Sequence, residues 1–201
     1  MITHAVIDGF ARDIHTAAER EWATTLAKHV SSAPGSTSTP PSKWLVSSAQ
    51  PLPALSAISI SPSSAAHTPP QVLTAFTPLA VTLNTYLRAL NRLRALAPMG
   101  AMDGVLDALL LGLAQNGEAL LGYAREWEGD AAEKVVVQAV GTAYVRVLVP
   151  FLRRAVVQGV FGLTSDADAL RKREDAQQVS GTRLLSDTVR NWESWLSEAS
   201  S

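Results

Sequence analysis

The run TPLAVTLNTYLRALNRLRALAP, from Thr77 to Pro98, constrains the fold more than any other part of the chain. Leu79, Leu83, Tyr86, Leu87, Leu90, Leu93 and Ala97 recur mostly at steps of three and four. That spacing draws one apolar stripe along an α-helix. Asn84, Arg88, Asn91, Arg92 and Arg94 fall mostly on the other face. Thr77 suits a helix cap, and Pro78 suits the first helical position, where no N–H is needed. Pro98 stops the helix, because it lacks a donor and disfavours helical geometry at the residue before it. A helix with one apolar face has to be packed on, so the chain reads as helices against helices.

Composition supports that reading. The chain has 201 residues and is 47% hydrophobic, enough for a core, with only 6% aromatics. Alanine, leucine and valine dominate, which favours helix on helix over a β-sandwich. Net charge is −1, so no electrostatic footprint for nucleic acid exists. With no cysteine, disulfides and thiolate metal sites are excluded. The N-terminus, MITHAVIDGFARD, has no secretory-signal pattern. The longest apolar stretch, Val135 to Val157, is broken by Gln138, Thr142, Arg146, Arg153 and Arg154. Those charges argue against a bilayer span, which needs about 20 mostly apolar residues. Any membrane contact is expected to be peripheral.

Residues 1–30 read as a first helix, with Val6, Phe10, Ile14, Ala18, Trp22, Leu26 and Val30 at every fourth position. Such a row drifts by roughly 40° per step, so the apolar side winds around the axis. This helix is expected to be the end of a truncated upstream helical region. Residues 31–70 hold eight of the eleven prolines, with many serines and threonines, so neither helix nor interior strand runs through them. They read as a long disordered insertion after the first helix. Two apolar patches lie inside it, Trp44-Leu45-Val46 and Leu52 to Ile60. Each either touches the bundle loosely or serves as a docking peptide for a partner.

The helical core is expected over 71–163. A third helix spans Met99 to Trp127, with Val105, Leu106, Leu109, Leu110, Leu113, Leu120 and Trp127 as buried candidates. Gly104, Gly112, Gly117 and Gly122 weaken it, and their expected use is close helix approach. Asn116-Gly117 is a candidate break. A fourth helix spans Asp130 to Phe161, with Val136, Val140, Tyr144, Val147, Leu148, Phe151, Leu152 and Val156 on its apolar face. Pro150 predicts a kink within it, and Gly162 a stop. Residues 164–201 read as a polar linker followed by a short helix, Thr182 to Ser197. Leu185, Val189, Trp192 and Leu196 share one face of that helix.

No catalytic signature is present: no G-x-G-x-x-G, G-x-x-x-x-G-K-[ST], H-E-x-x-H or G-x-S-x-G. His4, His15 and His29 lie too far apart on one helix to share a metal ion, and His67 stands alone. Asp166 and Asp168 lack the glycine and glutamate of a calcium loop. Glu126, Glu128 and Asp130 read as a solvated turn. No cofactor, metal or catalytic residue is assigned. Arg88, Arg92 and Arg94 form one basic group, and Arg153 with Arg154 another. They read as solvated faces and salt bridges to neighbouring subunits, or alternatively as contacts to anionic lipid. Trp192 belongs to the core stripe; Trp195, one step off it, is the candidate for presentation to a partner.

The phrase from Thr77 to Pro98, followed downstream by LVPFLRRAVVQGVF, resembles the C-terminal region of subunit eight of the conserved oligomeric Golgi complex, the Dor1-like family. The resemblance covers roughly Ile2 to Leu163, and its motif positions are Asn91, Leu93, Arg94, Pro98, Leu148, Val149, Pro150 and Leu152. These serve fold and helix placement, and no functional residue is carried over. Family members carry further coiled-coil and helical regions upstream. The resemblance implies an all-α antiparallel bundle of the helical-rod tethering type. It also implies a non-enzymatic subunit of the Golgi vesicle tether in retrograde intra-Golgi transport, peripheral on the cytoplasmic face of the Golgi membrane. The implied partners are other subunits of the complex and, through them, membrane-fusion proteins and small GTPases. The competing expectation is a membrane-surface module that binds anionic lipids through its arginine faces.

Overall fold

The computed structural model describes residues 40–46, 52, 54–59, 68–94, 102–160 and 180–199. The expected first helix, Pro98, all four histidines, Asp166, Asp168 and Gly162 lie outside these residues. Two short 3-10 turns, Pro41–Lys43 and Leu55–Ala57, come first. Then follow α1 (Gln71–Ala75), α2 (Thr77–Arg94), α3 (Met102–Glu126), α4 (Ala131–Ala143), α5 (Val149–Arg154) and α6 (Ser180–Ala199). π-helical segments, Tyr144–Leu148 and Ala155–Val160, join α4 to α5 and extend α5, so 131–160 is one continuous rod. Among the described residues the protein is all-α, and the only β pairing is a single antiparallel bridge between Leu45 and Phe76.

Named contacts set the relative directions of α3, α6 and the rod. Tyr144 on the π segment donates its hydroxyl proton to the Leu113 carbonyl of α3. Asp130 caps α4 by accepting the Glu133 N–H at 2.8 Å, which lets α3 and α4 join through a short loop as antiparallel neighbours. Asp107 of α3 accepts the Gly181 N–H of α6 at 2.8 Å, and Glu118 accepts from the Asn191 side chain at 3.2 Å. The two numberings rise together, so α3 and α6 run parallel. Against the rod, α6 is antiparallel, because the Gln138 side chain donates to the Ala199 carbonyl at 2.8 Å while the ring of Trp192 covers Gly141. α3 and α6 therefore run parallel to each other and opposite to the rod.

The core follows the apolar stripes. Leu79, Leu83, Tyr86 and Leu90 of α2 are buried, and so are Leu109, Leu110, Leu113 and Leu120 of α3. Each fully buried Leu, Val or Phe contributes about 1.5–3 kcal/mol relative to exposure. The rod is buried on nearly every side from Val136 to Val157, apart from exposed Arg146 and half-buried Pro150, Arg153 and Arg154. By length and mean hydropathy the helix Ala131–Gln158 suffices to cross a bilayer, despite the charges read as disqualifying. In the fold, 83% of its apolar window is buried against the rest of the protein. That burial gives its composition a purpose without a membrane.

The details around Pro150 and Gly117 go beyond periodicity. Around Pro150, where a kink is expected, the turns are wider: just before it, the Val149 N–H donates to the Tyr144 carbonyl, five residues back. Such π turns are a known way to rearrange the ladder around an irregularity. α3 runs unbroken through Asn116 and Gly117. Gly117 does serve close approach, since a Cβ there would lie 2.5 Å from the Tyr144 hydroxyl and 2.6 Å from Thr188 Cγ2. Gly122 has nothing within 4 Å of its Cβ direction, so close approach does not explain it.

The Pro/Ser-rich stretch also departs from a free loop where it is described. Trp44 and Ile58 are 7% and 2% exposed and belong to the main core. Their burial provides the apolar gain that holds this proline-interrupted backbone on the bundle.

Candidate functional site

α2 offers its polar face to solvent as a single line. Val81, Asn84, Arg88 and Asn91 are exposed at successive steps of three, four and three, while Leu83, Tyr86 and Leu90 turn inward. Thr82 is buried, and its hydroxyl satisfies itself by donating to the Pro78 carbonyl at 2.9 Å. Of the basic group singled out by sequence, Arg88 stands on the exposed line. Arg92 and Arg94 share the α2 backbone, but their side chains lie outside the described residues, as does that of Leu93. Among the other motif positions, Asn91 is exposed, Leu148, Val149 and Leu152 are buried, and Pro150 is half-buried.

Trp195 stands at a second surface. Its ring meets Trp192 edge to face, with centroids 5.6 Å apart at 88°. This geometry lets the positive edge of one ring meet the negative face of the other. Trp192 is core, at 1% exposed, so it anchors Trp195 from beneath. Half-buried Trp195 lines a groove of about 380 Å³ where α3 ends, α4 begins and α6 ends. Trp127 and Val137 supply further apolar wall, with Arg125, Lys134 and Glu198 around it. Among the described residues no cluster of His, Cys, Asp or Glu is arranged to hold a metal ion.

At the centre lies a polar knot that periodicity alone missed. The Trp192 indole N–H donates to the Gly117 carbonyl at 3.0 Å, one residue from buried Asn116. Tyr144 reaches the Leu113 carbonyl from the rod, and Tyr86 of α2 faces Asn116. Burial pushes the Tyr86 hydroxyl far above the ordinary tyrosine range, opposed by Asn116. Burial also raises Tyr144, helped by Tyr86 and by the Glu118 carboxylate. Both phenols therefore stay neutral at physiological pH, and of the two it is Tyr144 that donates a hydrogen bond. Four helical segments meet at this level of the bundle, and hydrogen bonds from Tyr144 and Trp192 tie two of them to α3. The signal available in the sequence was Asn116 and Gly117 together in the middle of an apolar helix.

Comparison with known proteins adds one relationship. The chain resembles subunit 8 of the conserved oligomeric Golgi complex. That protein, from Drosophila melanogaster, is 34% identical over 106 residues, which is 51% of this chain and 18% of the relative. The chain thus spans about 18% of the length of this Golgi-complex subunit. No family model matches the chain. No solved structure matches it either.

Proposed function

We propose that this chain is a non-enzymatic, helical part of a Golgi tethering-complex subunit that works by protein–protein contact. The observation that carries the reading is the 34% identity with subunit 8 of the conserved oligomeric Golgi complex. The all-α bundle agrees with it. In its finer form the proposal places the chain peripherally on the cytoplasmic face of the Golgi membrane, in retrograde vesicle transport. Other subunits of the complex are its direct partners, and membrane-fusion proteins and small GTPases are reached through them. A tether acts by holding two bodies at high effective concentration, so surfaces and lengths matter rather than reactive groups.

Within this reading the exposed line of α2 and the Trp195 groove are the proposed contact surfaces. Arg88 lies on the first, and Arg92 and Arg94 follow it in the sequence of the same helix. The test is capture from cell extract with the whole chain as bait: co-recovery of other tether subunits is expected. A folded bait that recovers none of them would remove the assignment. Exposed Arg88 also suits a phosphate-bearing lipid surface. Co-sedimentation with anionic vesicles, lost in an Arg88→Glu, Arg92→Glu, Arg94→Glu variant, would favour that second reading.

A further inference from the structure

α1 and α2 are not one helix. Between them Phe76 is extended, with φ −112° and ψ 118°, and it is fully buried. The break leaves the Ala75 carbonyl and the Thr77 N–H pointing away from any helical ladder. They form a sheet edge one residue long. The chain's own segment 40–46 sits on that edge. The Val46 N–H donates to the Ala75 carbonyl at 3.0 Å, and the Thr77 N–H donates to the Trp44 carbonyl at 2.7 Å. Leu45 and Phe76 thereby face each other as a non-hydrogen-bonded antiparallel pair, the arrangement that brings side chains closest.

Side chains complete the fit. Trp44 enters the bundle and meets Tyr123 of α3, with ring centroids 5.2 Å apart. Pro41 is buried beside α4, and the Ser42 N–H donates to the Glu133 carboxylate at 3.2 Å. Past the anchor, Val46 is 64% exposed. This is how a linear peptide is recognised: main-chain bonds to a sheet edge, one aromatic in a pocket, and outward residues free. By contrast the helices α3 and α6 hold each other along nearly their whole lengths, from Asp107–Gly181 to the Trp195 groove.

We propose that the groove formed by the α1–α2 break, Tyr123 of α3 and the start of α4 is a receptor for an extended, proline-led, tryptophan-bearing peptide. Segment 40–46 is its resident ligand, bound in cis and displaceable. A partner offering the same chemistry in trans competes with it. This inference is independent of the Golgi assignment, because it rests on geometry within the chain.

The test uses the full chain carrying Trp44→Ala and a fluorescent synthetic peptide of residues 38–48 of this sequence. The peptide is expected to bind the variant at least tenfold more tightly than the wild type, whose groove is filled in cis, and to raise the variant's Tm. A peptide with alanine in place of its tryptophan is expected not to bind. A folded variant that binds neither peptide, or variant and wild type binding equally, would overturn the proposal. Hydrogen exchange on the wild type tests it without any variant. The amides of Val46 and Thr77 are expected to exchange at least a hundredfold faster than those of Val140 and Val147 in the rod, through local release of the segment. Exchange of all four only by global unfolding would equally overturn it.

Discussion

The indole N–H of Trp192 donates to the main-chain carbonyl of Gly117 at 3.0 Å, pinning α6 to the middle of α3. The carbonyl can accept this bond without losing its own helix, because an oxygen has two lone pairs. The glycine is needed because Tyr144 and Thr188 press into the space a Cβ would fill.

Replacing that glycine forces the helices apart. Gly117→Ala is expected to lower stability by about 1–3 kcal/mol, the usual cost of overpacking, despite alanine's better helix propensity. Gly122→Ala meets nothing within 4 Å and is expected to be neutral or to stabilise by up to about 1 kcal/mol. Urea unfolding followed by circular dichroism compares the two, and equal effects would contradict the packing account.

The two neighbouring tryptophans separate core from surface. Trp192→Ala leaves a hole over Gly141 and removes a buried hydrogen bond, for an expected loss of about 3–5 kcal/mol. Half-buried Trp195 is expected to cost clearly less when replaced by alanine, while weakening capture of partner subunits. Thermal melts and pull-downs on both variants check this. A larger loss of Tm for Trp195→Ala than for Trp192→Ala would reverse their assignment.

α6 begins on a residue of another helix. The Asp107 carboxylate accepts the Gly181 N–H at 2.8 Å, acting as a cap supplied from α3. Asp107→Ala is expected to cost about 0.5–2 kcal/mol, the range for a lost cap. Asp107→Asn, which keeps an acceptor oxygen, is expected to retain most of it. Hydrogen exchange of the first turn of α6 is the direct readout, and unchanged protection in Asp107→Ala would discard the cap.

Alkaline pH acts through the buried phenols. Tyr86 and Tyr144 are both raised by burial. A group whose folded pKa lies above its unfolded value stabilises the fold below the unfolded pKa, here about 10 for tyrosine. That stability is lost as pH rises beyond this point, because only the unfolded chain releases the proton readily. Tyrosinate absorbance is therefore expected to appear in two stages, with Tyr86 and Tyr144 ionising together with loss of helical signal. Ionisation of all three tyrosines while the helices persist would refute this.

Much of the bundle was legible in periodicity. Leu79, Leu83, Tyr86 and Leu90 of α2 are buried where the three-and-four spacing puts them, because the period of a helix is a local property. Leu87 belongs to the same spacing but is only half-buried, since the width of a buried face depends on what covers it. α6 already includes Ser180, ahead of the expected Thr182, and its Gly181 N–H is met by Asp107, 74 positions away, a partner that local periodicity does not reveal. Asn116-Gly117 read as a candidate break, but the helix runs through both, and the glycine admits Tyr144 and Thr188, which come from elsewhere in the chain. Trp44 was open between loose contact and docking for the same reason. Its pocket is made by Tyr123 and by a helix break at Phe76, neither of which its own neighbours reveal. For the candidate surfaces, Arg88 was placed correctly on the outer face, while the groove beside Trp195 required the ends of three helices.

The polar knot has a mechanical consequence. Leucine stripes resist being pulled apart, but they are smooth along the axis, and one turn of slip, about 5.4 Å, brings leucine back onto leucine. The same slip would drag Tyr144 off the Leu113 carbonyl and Trp192 off the Gly117 carbonyl, stranding polar groups in an apolar layer. A load applied along the rods is therefore met by a ratchet tooth at mid-height, and the bundle is stiff in shear.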